Sequence, residues 1–145
     1  MKVIIVPGIN GLNETRGCEN SHKEFFGSEV NKMDLDLNDI SSQIRVIEKI
    51  GKENVKKKRL FFGGDHSISY PLSKVFFQKY GKNSRLLIFD AHPDLMKPLK
   101  EPTHEEWLRA IIEKGFPLNN ILLVGIRKKS KNIDRTELDF ATKKK

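Results

Sequence analysis

Residues 86–94 read Leu86-Leu87-Ile88-Phe89-Asp90-Ala91-His92-Pro93-Asp94. The four apolar residues that open this segment predict a fully buried β-strand. Side chains alternate between opposite faces of extended backbone, so we expect Asp90, His92 and Asp94 to point the same way. Pro93 disfavours helical angles at His92 and thereby preserves this alternation. Because carboxylates and imidazoles ligate divalent cations, the pattern predicts part of a metal site, with a strand followed by an ordinary polar loop as the alternative.

The composition is typical of one globular domain. A length of 145 residues allows a sizeable core, and 37% of the residues are hydrophobic while 32% are charged. No apolar run approaches the ~20 residues of a membrane span, so no membrane association is expected. Residues 1–6 predict a strand and not a secretory signal. A single cysteine, Cys18, excludes an internal disulfide and favours a cytoplasmic location.

The chain carries an excess of positive charge. Its 27 Lys and Arg residues against 19 Asp and Glu residues give a formal net charge of +8. Much of the excess is lysine collected at 56–58, 128–129 and 143–145, without interleaved aromatic residues. A solvated lysine-rich surface is therefore expected, and nucleic-acid binding is the less favoured interpretation.

Short apolar runs alternate with amphipathic segments along the chain. Strands are predicted over 3–6, 59–62, 86–89 and 121–125. The alternation predicts a parallel sheet covered by helices, in which ligands gather beyond the carboxyl ends of the strands. Three helices are predicted. The first is capped by Asn38 or Asp39 and ends at Gly51, and the second has Pro71 in its first turn and ends at Gly81. The third starts at a capping box of Thr103 and Glu106 and ends at Gly115.

Two segments at strand ends carry a resemblance to a known family. Gly63-Gly64-Asp65-His66-Ser67 and Asp90-Ala91-His92-Pro93-Asp94 resemble two signature motifs of the ureohydrolase superfamily, which includes arginase, agmatinase and formimidoylglutamase. Arg16-Gly17-Cys18-Glu19 is similar to an early glycine–glutamate loop of the family, and Gly125-Ile126-Arg127 to the segment that closes its fifth strand. The resemblance covers nearly the whole chain and implies a three-layer α/β/α fold with a mainly parallel, arginase-like sheet.

The same resemblance implies a binuclear manganese hydrolase that cuts a guanidino or related C–N bond of a small substrate with a metal-bridging hydroxide. Carried over to this sequence, His66 binds one Mn²⁺ and His92 the other, Asp90 bridges both, and Asp94 completes the first ion's ligands from this chain. Asp65 is expected to orient or cap its neighbours instead of ligating. Imidazole and carboxylate without thiolate suit a hard ion such as Mn²⁺, and two such ions lower the pKa of a shared water.

His104 matches the mobile catalytic histidine of the family, which moves protons near the leaving amine. The alternative is an ordinary surface residue in the first turn of a helix.

The sequence departs from the family pattern in two places. The loop over 95–102 is shorter and lacks the asparagine and serine pattern of arginase, which argues against arginine as the substrate. The third family motif, Asp-x-Asp-x-x-Asp, is absent, because Asp134 and Asp139 are the only aspartates after Asp94 and their spacing does not fit. Only His66, Asp90, His92 and Asp94 remain of the family's ligand set, so this chain alone is expected to bind one Mn²⁺ or none.

We therefore predict an incomplete arginase-like domain over 1–127 that lacks its C-terminal third, and a polar lysine-rich tail over 128–145 with little ordered structure. In the family's sheet, the strands that carry the third motif lie between the third and fourth strands. Either the strands that end at Gly64 and Asp90 pair directly, or another polypeptide fills the gap, since unpaired edges of apolar strands are unstable.

The leading hypothesis is a ureohydrolase present as a partial or split-gene subunit, inactive without the missing part. A partner chain that carries the third motif, or a homo-oligomer, would complete it. The alternative is a noncatalytic, shortened relative that binds one metal or none and acts through protein contacts.

Overall fold

The computed structural model describes residues 2–11, 14–27, 32–127 and 135–143. In this part of the chain, the strands are β1 (Lys2–Ile5), β2 (Arg59–Phe62), β3 (Leu86–Phe89) and β4 (Ile121–Val124). The α-helices there are α1 (His22–Phe26), α2 (Ile40–Asn54), α3 (Ser69–Tyr80), α4 (Trp107–Glu113) and α5 (Arg135–Lys143). All four strands lie within one residue of their predicted positions. None of the helices in the described ranges is long and apolar enough to span a membrane.

The strands form two parallel pairs instead of one continuous sheet. β1 pairs with β2, with Ile4 opposite Phe61, and β3 pairs with β4, with Ile88 opposite Leu123. The predicted parallel α/β class is confirmed. Within the described ranges β2 and β3 share no ladder. The first of the two arrangements considered from the sequence, direct pairing of these strands, is therefore wrong.

Helices cover the two strand pairs unequally. α2 packs against α3 and α3 against α4 on one side of the strands. On the opposite side of β2, the Phe62 ring contacts Phe25 and Phe26 of α1, with centroids 5.2 and 5.1 Å apart. The predicted three-layer arrangement is thus present around β1 and β2, whereas the described residues cover β3 and β4 on one face.

Two clusters of buried apolar side chains form the core. Val6, Ile47 and Ile68 form the cluster beneath β1 and β2. The larger cluster beneath β3 and β4 is centred on the residues Ile88, Leu95, Trp107, Leu108, Ile111 and Phe116. The prediction that residues 86–89 are fully buried is wrong, since Leu87 and Phe89 are 59% and 74% exposed on the uncovered face.

Helix α2 begins as predicted but ends later. The Asp39 side chain accepts a hydrogen bond from the Ser42 backbone nitrogen at 2.8 Å, so Asp39 is the cap. The helix continues through Gly51 to Asn54, and the predicted end at Gly51 is wrong. A Cβ at Gly51 would lie 3.5 Å from Leu72 and Val75 of α3. Gly51 therefore marks a close contact between helices and not a helix end.

Helix α4 starts four residues after Thr103. The Thr103 backbone nitrogen donates to Oε2 of Glu106 at 2.8 Å, which is one half of the predicted capping box. The Thr103 hydroxyl accepts from the Glu105 nitrogen at 3.2 Å, one residue earlier than a capping box requires. This bond closes a turn over residues 104–106, and the helix itself begins at Trp107.

The segment after Arg127 contains a helix, contrary to the predicted lack of order. In α5, the Oε1 atom of Glu137 accepts from the Leu95 nitrogen at 2.9 Å, and Phe140 packs against the larger core cluster. The Arg109 guanidinium lies 4.4 Å from the Phe140 ring centroid. Residues three apart on a helix share a face, so Glu137 and Phe140 fix this helix to the domain. The rest of the predicted tail, 128–134 and 144–145, lies outside the described residues.

Candidate metal centre

The turn after β2 brings His66 to the carboxyl end of the strands. Gly63 and Gly64 have φ angles of 142° and 47°, and a Cβ at Gly64 would lie 1.8 Å from the Gly8 carbonyl oxygen. Only glycine permits this conformation and this approach. The Asp65 nitrogen donates to the same Gly8 oxygen at 3.1 Å. The strand end is thereby fixed against the segment that follows β1.

Asp65 is held by protein donors on both of its carboxylate oxygens. Oδ2 accepts from the Asn10 nitrogen at 2.8 Å and from the Thr15 hydroxyl at 2.7 Å. Oδ1 accepts from the Ser67 nitrogen at 2.9 Å and also from the Ser67 hydroxyl. The buried carboxylate of Asp65 thus accepts four hydrogen bonds from protein donors, and these bonds connect the loop around His66 to residues 10 and 15.

His66, Asp90 and Asp94 converge at one point. Nδ1 of His66 lies 2.8 Å from Oδ2 of Asp94 and 3.0 Å from Oδ2 of Asp90. One ligand atom from each of the three residues lies within 4.8 Å of the others. In the described part of the chain, no other group of three His, Cys, Asp or Glu residues meets this criterion.

The convergence has a different origin from the predicted strand alternation. β3 ends at Phe89, and Asp94 adopts a left-handed conformation with a φ of 50°. Nε1 of Trp107 donates to Oδ2 of Asp94 at 2.7 Å, and the Arg109 nitrogen donates to the Asp94 carbonyl at 3.3 Å. Hydrogen bonds from the first turn of α4 therefore orient the Asp94 side chain toward His66, and an extended backbone does not.

Trp107 is a site residue that the sequence analysis missed. Its ring is 2% exposed, and its centroid lies 4.8 Å from that of His66. At the sequence level Trp107 is one apolar residue of a helical stripe. The available signal was its indole N–H, because a buried tryptophan usually finds a hydrogen-bond acceptor.

His92 lies beside the cluster and is not one of its three members. Its side chain is 51% exposed, and its Nδ1 lies 3.7 Å from Oδ1 of Asp90. The other oxygen of Asp90 faces His66. Asp90 thus has an imidazole near each oxygen, and the His92 backbone nitrogen fixes its orientation by donating to Oδ1 at 2.9 Å.

His104 lies in the turn before α4 and is not part of the three-residue group. Its Nδ1 atom is buried and has no hydrogen-bond partner among the residues that the structure describes.

The charge of the site acts on His66. Burial lowers the pKa of His66, but its hydrogen bond to Asp94 and the charges of Asp94, Asp90 and Asp65 together outweigh burial and raise the pKa above its ordinary value. The three carboxylates therefore favour a positive charge at this point, which a proton or a metal cation can supply.

Comparison with known proteins agrees with this geometry. Residues 14–145 match the family model described as the Arginase family, and the chain belongs to that family. Arginase 2, chloroplastic/mitochondrial, of Arabidopsis thaliana is 32% identical over 101 residues, which cover 68% of this chain and 29% of that protein.

Solved structures share the fold over nearly all of this chain. Formimidoylglutamase from Bacillus subtilis superposes with a TM-score of 0.80 at 19% identity, over 98% of this chain and 52% of that one. Formiminoglutamase from Trypanosoma cruzi, solved with two Mn²⁺, superposes with a TM-score of 0.78 at 12% identity, over 97% and 56% of the respective chains. The chain thus spans about half the length of these structural relatives and under a third of the Arabidopsis arginase.

Proposed function

We propose that this chain is the part of a manganese-dependent ureohydrolase that carries His66, Asp90 and Asp94, and that the complete enzyme hydrolyses a small guanidino-type substrate. The observation that carries the proposal is the convergence of Nδ1 of His66 with Oδ2 of both aspartates at 2.8 and 3.0 Å. Family membership supports the reaction class, and the Mn²⁺ in the Trypanosoma cruzi relative supports the choice of metal.

The donor atoms fit a hard divalent cation. One imidazole nitrogen and two carboxylate oxygens, without thiolate, suit Mn²⁺. The carboxylates of Asp94, Asp90 and Asp65 raise the pKa of His66 despite its burial, which supports a site that favours positive charge. When bound, a pair of Mn²⁺ ions supplies Lewis acidity and lowers the pKa of a water between them.

Each residue of this chain has a distinct task in the proposed reaction. His66 and Asp94 hold the first cation, and Asp90 is oriented to bridge to a second cation held by His92. The placement of one Asp90 oxygen near each imidazole supports this division. Asp65 keeps the loop that bears His66 in place through its bonds to Asn10 and Thr15.

His104 is proposed as the group that moves a proton near the leaving amine. The match of His104 to the mobile catalytic histidine of the family supports the role, because imidazole is the side chain that most often transfers protons in catalysis.

The proposed site is incomplete in this chain. His66, Asp90 and Asp94 offer three ligands to one cation, and Asp90 and His92 offer two to the other, whereas a Mn²⁺ ion takes about six oxygen and nitrogen ligands. We expect a partner chain or a homo-oligomer to supply further carboxylates, and this chain alone to bind one ion or none. The exposure of His92 outside the cluster favours the single-ion outcome.

Titration of the full chain with Mn²⁺ tests the proposal. Asp90→Asn removes one ligand charge, and Asp34→Asn removes one charge from an exposed position away from the cluster, so the pair is matched in net charge. We expect Asp90→Asn to weaken Mn²⁺ binding at least tenfold, about the effect of losing one charged ligand, and Asp34→Asn to leave it unchanged. Equal binding by both variants would mean that Mn²⁺ does not use this cluster.

A further inference from the structure

The peptide unit between Asp94 and Leu95 is held at both of its polar groups. Its carbonyl oxygen, on Asp94, accepts a hydrogen bond from the Arg109 nitrogen of α4 at 3.3 Å. Its N–H group, on Leu95, donates to Oε1 of Glu137 of α5 at 2.9 Å. Because a peptide unit is planar, two hydrogen bonds on opposite edges fix its rotation about the chain. The backbone conformation of Asp94 is thereby fixed as well.

Asp94 depends on this support because its backbone conformation is uncommon. Its φ of 50° lies in the left-handed region, which residues with a side chain rarely adopt and which surrounding contacts must maintain. The residue is 7% exposed, and its Oδ2 lies 2.8 Å from Nδ1 of His66. A released peptide unit would let Asp94 return to a more common conformation, which would turn its carboxylate away from His66.

The carboxylate of Glu137 is buried although it belongs to a largely exposed helix. Glu137 is 5% exposed, and its hydrogen bond to the Leu95 nitrogen joins residues 42 positions apart. The exposed side chains of the same helix are Thr136, Asp139, Ala141 and Thr142. A carboxylate leaves water at a large cost unless buried donors satisfy it. The burial of Glu137 therefore indicates a specific task for its contact with the Leu95 backbone.

Phe140 of the same helix supports the other hydrogen bond of this peptide unit. Its ring centroid lies 4.4 Å from the guanidinium of Arg109, whose backbone nitrogen donates to the Asp94 oxygen. Glu137 and Phe140 are three residues apart and so lie on one face of α5. This face of α5 thus contacts both elements that hold the peptide unit between Asp94 and Leu95.

We infer that Glu137 is a positioning residue: by accepting a hydrogen bond from Leu95, it holds Asp94 in the backbone conformation that directs the Asp94 carboxylate to His66. The inference rests on the proposed function only in its consequence for Mn²⁺, which Asp94 would bind. The positioning of Asp94 is a property of the metal-free protein. It can be followed through Trp107, whose indole nitrogen donates to Oδ2 of Asp94 at 2.7 Å.

Trp107 allows this positioning to be measured in the full chain. The sequence has one tryptophan, so its indole N–H gives a single signal in an NMR spectrum of the ¹⁵N-labelled protein. The exchange rate of this proton with solvent reports how often the hydrogen bond to Asp94 opens. The backbone amides of the ladder between β3 and β4, measured in the same samples, report the opening of the domain. Faster exchange of the indole proton alone is therefore a local effect at Asp94.

Two substitutions at Glu137 differ in the hydrogen-bond acceptor. Glu137→Gln and Glu137→Met introduce uncharged side chains of similar length, but only glutamine keeps an oxygen that can accept from Leu95. We expect Glu137→Met to speed indole exchange at least about tenfold relative to the ladder amides, because it leaves a buried N–H unpaired. Glu137→Gln should stay within about threefold of the parent. Asp139→Asn removes the same charge from an exposed position of α5 and should stay within about twofold.

A substitution at Phe140 gives a second, independent test. Phe140→Leu keeps an apolar side chain but removes the ring beside the Arg109 guanidinium, and it leaves Glu137 in place. We expect indole exchange to become at least about threefold faster than in the parent, again relative to the ladder amides. This variant also tests the inference if Glu137→Met does not fold.

Titration with Mn²⁺ connects the positioning role to the metal site. Glu137→Met should weaken Mn²⁺ binding about tenfold, the lower end for the loss of a group that orients a ligand, and Glu137→Gln should weaken it less than about threefold. The inference is overturned if the methionine and glutamine variants exchange the indole proton at equal rates, or if the indole proton and the ladder amides accelerate together. Mn²⁺ binding that is insensitive to Asp90→Asn would reject the metal site instead, and the indole measurement in the metal-free protein would still decide the role of Glu137.

Discussion

Trp107 donates a hydrogen bond from its indole nitrogen to Oδ2 of Asp94 at 2.7 Å, and this oxygen is the one that faces His66. A carboxylate oxygen that accepts a hydrogen bond from a buried donor keeps its orientation when a cation is absent. The cluster of His66, Asp90 and Asp94 is therefore connected to the first turn of α4, and removal of this hydrogen bond tests whether it orients Asp94.

Trp107→Phe removes the donor and keeps most of the ring. We expect Mn²⁺ binding to weaken by about tenfold, the lower end for the loss of a group that orients a ligand. Titration with Mn²⁺ measures the effect, and thermal unfolding of the metal-free variant checks that the core remains intact. Unchanged affinity would show that Asp94 does not need this bond.

Two substitutions at Asp94 separate its backbone role from its charge. Asparagine tolerates the observed φ of 50° and can still accept from Trp107, so Asp94→Asn should stay within about 1 kcal/mol of the parent in unfolding free energy. Asp94→Ala leaves the buried indole N–H unpaired and should lose about 2–4 kcal/mol. Urea unfolding measures both. The two variants should bind Mn²⁺ more weakly than the parent, and equal stability of the pair would contradict the structural argument.

The raised pKa of His66 predicts a pH dependence in the metal-free protein. A group whose pKa is higher in the folded state contributes stability that is fully present below its unfolded value of about 6.5. That contribution is lost as the pH rises through the folded pKa. The difference in melting temperature between the parent and His66→Gln should therefore shrink as the pH is raised above about 6.5. A melting-temperature difference between the two proteins that grows with pH would contradict the raised pKa of His66.

The same protonation competes with the cation for Nδ1 of His66. Mn²⁺ affinity should accordingly increase with pH over this range, because the imidazole must lose its proton to ligate. The matched variant Asp34→Asn should show the same pH profile as the parent.

Two glycine substitutions should have opposite effects on stability. Gly51→Ala places a Cβ at 3.5 Å from Leu72 and Val75, which is ordinary contact, and should stabilise helix α2 by about 0.5–1 kcal/mol. Gly64→Ala places a Cβ 1.8 Å from the Gly8 oxygen at a φ of 47° and should lose about 3 kcal/mol or more. Chemical denaturation of the two variants measures both. A destabilised Gly51→Ala would mean that α2 and α3 pack more tightly than the structure indicates.

The elements predicted well from the sequence depend on nearby residues. The strands, the Asp39 cap and the end of α3 at Gly81 follow from apolar runs and from turn or capping residues. The same holds for the placement of both signature motifs at strand ends. These features can be predicted without knowing which other segments each one contacts in the folded protein.

The elements that were missed depend on distant contacts. Gly51 continues a helix because α3 lies against it, and α5 is fixed through Glu137 and Phe140 to residues far along the chain. The orientation of the Asp94 side chain depends on Trp107, thirteen residues away, and not on the alternation of side chains along a strand. No local pattern contains this information.

Helix α3 also has a consequence for how the chain unfolds. Its Tyr70 belongs to the larger core cluster and its Leu72 packs against the smaller one, so side-chain packing along one helix joins the two halves in place of a shared ladder. Helix α2 links the halves as well, since its Ile44 packs against the larger cluster and its Ile47 belongs to the smaller one, so cooperativity between the halves depends on both helices. Loosening both helices would allow the N-terminal and C-terminal strand pairs to melt as separate units.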